Sequence, residues 1–177
     1  MFQEHEKELF DIDFSPDDRF LVSSSYDQTV RISNMRSGSS KILADGFYCR
    51  KVRFSPDGRY IAGSDYDGRV RIWNVRTEQL VEEWTAHNGG AWGMALMPDG
   101  KGLVTSGQDG ILKYWNVNFL ELAGPRGGMK KAREKKEILK FTGHSVRCSR
   151  LLFLSFFSSD LFPPFSTGIR LVGRCLT

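Results

Sequence analysis

Three stretches of this chain repeat one pattern at a nearly fixed spacing. They read FSPDDRFLVSSSYDQTVRISNM (14–35), FSPDGRYIAGSDYDGRVRIWNV (54–75) and LMPDGKGLVTSGQDGILKYWNV (96–117). Pro16 to Pro56 is 40 positions, and so is Asp27 to Asp67. Pro56 to Pro98 is 42 positions, as are Asp67 to Asp109 and Trp73 to Trp115. Landmarks that move together by one offset leave little room for coincidence. Such a chain must use one small structural unit several times over.

The unit itself reads as short β-strands. In the middle copy, alternating runs around 60–63 and 70–75 meet at Asp67-Gly68. Asp-Gly between alternating runs signals a hairpin, because Gly accepts the positive φ of a primed turn. A further Asp-Gly, at Asp57-Gly58, separates this hairpin from the run at 52–54. The spacing predicts strands at 9–14, 20–25, 29–34 and 41–44, then at 49–54, 60–64, 69–75 and 79–84. A third set follows at 92–97, 102–106 and 111–117, and its last strand is delayed to 138–141. Four strands in about 40–45 residues is the size of a propeller blade. The expected fold is all-β: a partial propeller of three four-stranded antiparallel blades plus the start of a fourth, in an open ring. The expected divisions are a lead-in at 1–8, blades at 9–44, 45–84 and 85–141, an insertion at 118–137 and a fourth-repeat start at 142–147.

Residues 148–177 depart from the pattern. Counting from His144, a fourth unit needs Pro at 155, Asp at 166 and Trp at 172, where the chain has Ser155, Ser166 and Val172. This tail is expected to be foreign to the repeat, as in a truncated product or one carrying translated non-coding sequence.

Composition narrows the function classes. The chain has 177 residues, 40% hydrophobic and 26% charged, with a net charge of +4. Between Arg126 and Lys140, seven basic residues face two acidic ones, so the repeats themselves are not a basic surface. A nucleic-acid or histone-tail contact would rest on 126–140 alone, through Lys130, Lys131, Lys135 and Lys136. Cys49, Cys148 and Cys175 have no metal-ligand spacing and suggest a reduced compartment. Residues 1–10 lack the apolar core of a secretory signal, and no apolar run reaches 18 residues. Gly127-Gly128 lacks the Gly-Lys-Ser/Thr of a phosphate loop. No cofactor, metal site or enzyme activity is expected.

The repeated polar residues have a structural reading. His5 to Asp27 and His87 to Asp109 are each 22 positions, whereas the middle unit has Asp45 at the matching place. In the third unit His87, Thr105, Asp109 and Trp115 are spaced for a buried Trp–Thr–His–Asp hydrogen-bond chain. The first unit offers His5, Ser23 and Asp27, with Ser33 in place of the Trp. The second offers Asp67 and Trp73, with Gly63 in place of the hydroxyl. Cys49, at a strand start, reads as a small buried side chain. Loop residues Tyr26, Tyr66, Gln108, Asn88 and Trp92 are the candidates for partner contact, by position and by the frequency of aromatics at interfaces.

These units resemble WD repeats. Gly143-His144 and Ala86-His87 look like the opening dipeptide, and Trp73-Asn74 and Trp115-Asn116 stand where Trp-Asp is usual. ELFDIDFSPDDRFLVSSSYDQTVRI, VRFSPDGRYIAGSDYDGRVRIWNV and the Gly-Pro-Arg-Gly-Gly insertion before Thr-Gly-His are similar to the C-terminal propeller of fungal Tup-type general transcriptional corepressors. That resemblance implies a nuclear, non-enzymatic scaffold that recruits repressor proteins through the loops of one propeller face. A scaffold of another pathway, such as a ubiquitin-ligase or RNA-processing subunit, in the cytoplasm or the nucleus, is the alternative. A nonfunctional truncated product is a further one.

Overall fold

The computed structural model describes residues 5–117, 119–122 and 137–142. Its strands are β1 (Leu9–Phe14), β2 (Phe20–Ser25), β3 (Val30–Asn34), β4 (Ser40–Ala44), β5 (Cys49–Phe54), β6 (Tyr60–Asp65), β7 (Arg69–Asn74), β8 (Leu80–Thr85), β9 (Ala91–Leu96), β10 (Gly102–Gly107), β11 (Ile111–Asn116) and β12 (Glu137–Thr142). They form three four-stranded antiparallel sheets in simple meander order, β1-β2-β3-β4, β5-β6-β7-β8 and β9-β10-β11-β12. One single-turn helix, α1 (Phe119–Leu122), interrupts the third sheet before β12, and no sequence signal foretold it. Of the insertion expected over 118–137, residues 118 and 123–136 lie outside the described residues, as do the Gly143-His144 opening and the tail at 148–177.

In the first two sheets the turn between the first and second strands is stapled by side chains. The Ser15 hydroxyl donates to Asp17 at 2.6 Å and accepts the Phe20 N–H at 2.9 Å. Ser55, Asp57 and Tyr60 repeat this at 2.5 and 3.0 Å. Short polar side chains that satisfy turn backbone groups are the reason Ser-Pro-Asp recurs at this place.

The second turn of each sheet holds a residue at positive φ: Gln28 at 70°, Gly68 at 79° and Gly110 at 73°. Gly68 is also compressed. A Cβ there would lie 2.3 Å from the carbonyl oxygens of His87 and Gly89, in the loop leading into the third sheet. That closeness lets the Gly68 carbonyl accept the Ala86 and His87 N–H groups at 2.7 and 3.0 Å. The Gln28 carbonyl likewise accepts the Phe47 N–H at 2.9 Å. So the turns at Gln28 and Gly68 each latch the loop that opens the next sheet.

The cores lie between sheets. Val22, Val30, Ile32 and Leu43 of the first pack against Cys49, Val52, Phe54, Ile61 and Trp73 of the second. Tyr60, Ala62, Val70 and Ile72 of the second pack against Met94, Leu103 and Trp115 of the third. Burying apolar faces against a neighbour, rather than within one unit, is the packing logic of stacked repeats. The innermost strands also meet across a polar seam. Asp11 accepts the Val52 N–H at 3.1 Å and pairs with Arg53 at 2.6 Å, and Asp13 accepts the Phe54 N–H at 2.7 Å. The corresponding residues of β5 are Lys51 and Arg53, so this seam joins the first two sheets and has no copy between the second and third.

Candidate protein-interaction face

Two sets of residues converge on the loop end of the sheets. The first set is buried and polar. In the third sheet the Trp115 indole N–H donates to the Thr105 hydroxyl at 2.8 Å. Thr105 lies 2.7 Å from His87 Nε2, and His87 Nδ1 lies 3.0 Å from Asp109 Oδ1. The Asp109 carboxylate then accepts the Ile111 N–H at 3.1 Å and the Asn88 N–H at 3.3 Å. A neutral imidazole with its proton on Nδ1 satisfies every link, with the Thr105 hydroxyl donating to Nε2. Burial pushes the His87 pKa down against the pull of Asp109. Burial alone would raise the pKa of Asp109, but the charge and hydrogen bond of His87 and the Ile111 N–H hold it below the usual carboxylate range. The Cβ of any residue but Gly at 107 would lie 2.3 Å from the imidazole, so Gly107 makes room for the ring.

A hydroxyl–imidazole–carboxylate line also builds hydrolase sites. Here Thr105 is 0% exposed and its oxygen already receives the Trp115 N–H, so this line offers a substrate no approach. Its hydrogen bonds tie the lead-in loop, at His87 and Asn88, to the turn at Asp109.

The first sheet makes a shorter version. His5 Nδ1 lies 2.8 Å from Asp27 Oδ2, and Nε2 lies 2.8 Å from the Ser23 hydroxyl. Asp27 also accepts the Thr29 N–H and hydroxyl at 2.9 and 2.7 Å. Burial works to raise its pKa, but the hydrogen bonds from Thr29, His5 and Glu6 outweigh it and hold the carboxyl far below the usual range.

The second sheet is different. Asp65, rather than the expected Asp67, accepts the turn N–H groups, of Asp67 at 3.0 Å and Arg69 at 2.7 Å. With no histidine to hold the Asp67 side chain inward, Asp67 stays exposed and the acceptor moves two residues upstream. Burial raises the Asp65 pKa, and the Arg69 N–H opposes that rise. Trp73 fills the space over Gly63, where a Cβ would lie 2.8 Å from the indole and 2.9 Å from the Cys49 sulfur. Cys49 itself is fully buried, and burial pushes its thiol pKa up.

The second set is aromatic and faces solvent. Each innermost strand carries a bulge at its second residue. Leu9 and Asp11 pair with consecutive residues of β2, so Phe10 is extra. Arg50 and Trp92 are extra in the same way on β5 and β9. A bulge re-aims one side chain out of the strand's alternation. Phe10, Arg50 and Trp92 therefore occupy one register, and Arg50 and Trp92 line a shallow cleft with Leu9, Phe10 and Lys51.

Around that cleft four rings close on one another. Phe10 meets Tyr26 at 5.7 Å and Tyr66 at 5.8 Å between centroids, and Tyr48 meets the same two tyrosines at 5.8 and 6.2 Å. Tyr66 continues the row to Trp92 at 6.2 Å. Tilted and edge-on contacts at these separations are the favourable arrangement of aromatic quadrupoles. The Arg50 guanidinium sits 5.4 Å from the Tyr66 ring centre and 4.8 Å from that of Trp92, and it donates to the Tyr66 hydroxyl at 2.7 Å.

Of the residues singled out by sequence for contact, Tyr26, Tyr66 and Trp92 join this row. Gln108 is instead tied to the lead-in loop, with its N–H donating to the Gly90 carbonyl at 2.8 Å. Asn88 is exposed and contributes its backbone N–H to Asp109. Phe10, Tyr48 and Arg50 were not foreseen. Aligning the strand starts at the repeat offset puts Phe10, Arg50 and Trp92 in one row, and that alignment would have found two of them.

Stacked four-stranded meanders, latched turn to loop and offering their loops on one face, define a β-propeller repeat protein. The chain belongs to the WD40 family (WD domain, G-beta repeat), whose model matches residues 1–34, 43–74 and 78–116. The comparison with curated proteins returns no match. Among solved structures it is similar to one described as the structure of U3-55K, with a TM-score of 0.68 and 20% identity over 81% of this chain and 42% of that one. A crystal structure of RRP9 WD40 repeats gives a TM-score of 0.67 at 20% identity, covering 81% of this chain and 41% of that one. The chain thus spans about four tenths of the length of these neighbours, and at this identity the likeness is one of fold.

Proposed function

We propose that this chain is a protein-binding scaffold whose recognition surface is the aromatic row on its loop face. The observation that carries the reading is the continuity of that row: rings from two turns, one lead-in loop and two innermost strands touch without a break. Exposed Tyr and Trp offer large rigid contact area at low entropic cost, and they dominate binding hot spots. Tyr26, Tyr48 and Tyr66 remain exposed although each packs on a neighbour.

Within that class, the motif run from Glu8 to Ile32 supports a corepressor of the Tup type, acting in the nucleus by recruiting repressor proteins. The likeness to U3-55K does not choose between pathways, because 20% identity carries the fold alone. Affinity purification from cells tests the proposal. The chain is expected to recover transcriptional repressors, and Tyr26→Ala with Tyr66→Ala to lose them while keeping the circular dichroism spectrum. Recovery of chaperones alone, or of the same partners with the double variant, would reject it. The basic residues Lys130, Lys131, Lys135 and Lys136 support a secondary contact with nucleic acid or histone tails. That contact requires steep salt dependence and loss of binding on charge reversal.

A further inference from the structure

We infer that the cleft around Arg50 reads a carboxylate side chain in an extended peptide, with apolar residues beside the acid and basic residues beyond them. This rests on the scaffold reading above and names the chemistry of its ligand.

Arg50 is the one cation of the three bulged positions, between Phe10 and Trp92. Its guanidinium is held against Tyr66 and Trp92 and fixed by the Tyr66 hydroxyl. Of the neighbouring cations, Lys51 and Arg53 pair with Asp11, and Arg69 and Arg71 with Glu83, whereas Lys7 lies over the Tyr26 ring. No carboxylate of the described residues lies within ion-pair distance of Arg50. Using one N–H on Tyr66 leaves the rest of the planar fork, and that fork matches a carboxylate in two parallel hydrogen bonds. A guanidinium already oriented by its platform loses little entropy when it binds. The rings of Phe10 and Trp92 line the cleft beside Arg50, together with Leu9 and Lys51.

The rim is acidic on balance. Glu6, Glu8, Asp45 and Asp67 are exposed on the loops and turns that carry the rings, against the exposed Lys7 over Tyr26. A chain of phosphates gains little from a rim with this acidic excess, so a nucleic acid is disfavoured although its bases could stack here. A peptide with one central acid and basic flanks meets both potentials, and charge complementarity of this kind sets specificity.

Selection from a random-peptide phage library on the full chain tests the inference. Selected peptides are expected to carry Asp or Glu beside an aromatic or aliphatic residue. The best of them, made synthetically, is expected to lose about tenfold in affinity when its acid is changed to the amide, the scale of one charge-assisted hydrogen bond. Arg50→Gln is expected to remove the difference between acid and amide forms, and Arg50→Lys to restore only part of it. Peptides without acidic enrichment, an acid preference that survives in Arg50→Gln, or displacement of the peptide by polyuridylic acid would each overturn the inference. Loss of peptide binding in Tyr26→Ala with Tyr66→Ala, beside an unchanged Arg50→Gln, would leave the aromatic scaffold standing and remove the carboxylate reader alone.

Discussion

Thr105 shows how much one hydroxyl can organise. It accepts from Trp115 and donates to His87, so Thr105→Val leaves two buried polar groups without partners. An orphaned buried group costs about 1–3 kcal/mol. The variant is expected to lose roughly 2 kcal/mol or more in urea unfolding, although Val fills nearly the same volume. The same chain makes stability sensitive to acid. His87 has a folded pKa below its ordinary value, so in the window between the two the unfolded state binds the extra proton. Stability is therefore expected to fall as pH drops below about 6.5, the ordinary histidine value. Asp27 and Asp109, depressed in the fold, keep contributing until pH falls below about 4 toward their folded values. Urea midpoints measured across this range check the order, and His87→Gln is expected to flatten the first part of the decline.

At the scale of elements, the seam between β1 and β5 separates hydrogen bonding from charge. Asp13 accepts the Phe54 N–H, yet burial raises its pKa, so ionisation at neutral pH is a cost the folded state carries. Asp13→Asn keeps an acceptor oxygen without that charge, whereas Asp13→Ala leaves the Phe54 N–H alone. Thermal unfolding at neutral pH is expected to place Asn near the parent chain and Ala lower by about 1–3 kcal/mol. Equal losses in both variants would assign the effect to charge and not to the backbone N–H. The bulges belong to this scale too. Without them Phe10, Arg50 and Trp92 would follow the strand alternation and the row of rings would be broken.

At the scale of the whole molecule, no sheet among the described residues covers one face of the first sheet. Leu9, Ile12 and Phe14 are 56%, 51% and 51% exposed, whereas their repeat partners Cys49, Val52 and Phe54 are 0%, 0% and 6% exposed under the sheet before them. An apolar face of this kind drives association. The isolated 177-residue chain is expected to bind a hydrophobic dye and to sediment as concentration-dependent species. Ile12→Lys with Phe14→Lys is expected to reduce both, and an unchanged sedimentation profile would place the sticky surface elsewhere.

Strand order and the division into three sheets were legible in the sequence, because Asp-Gly turns and alternating runs are local signals that recur at one offset. The His87–Asp109 and His5–Asp27 spacings were legible for the same reason: both partners lie in a single unit. What needed three dimensions was anything made between units. Asp11 and Asp13 reach backbone N–H groups about 41 residues away, with no periodic trace in the sequence. The exchange of Asp67 for Asp65 falls in the one unit that carries Asp45 in place of the histidine. The aromatic row depended on bulges that alternation cannot encode. Sequence alone therefore fixed the repeating sheet, whose forces act within a few tens of residues. Tertiary structure decided the aromatic face, because its rings come from separate units and meet only when the sheets stack.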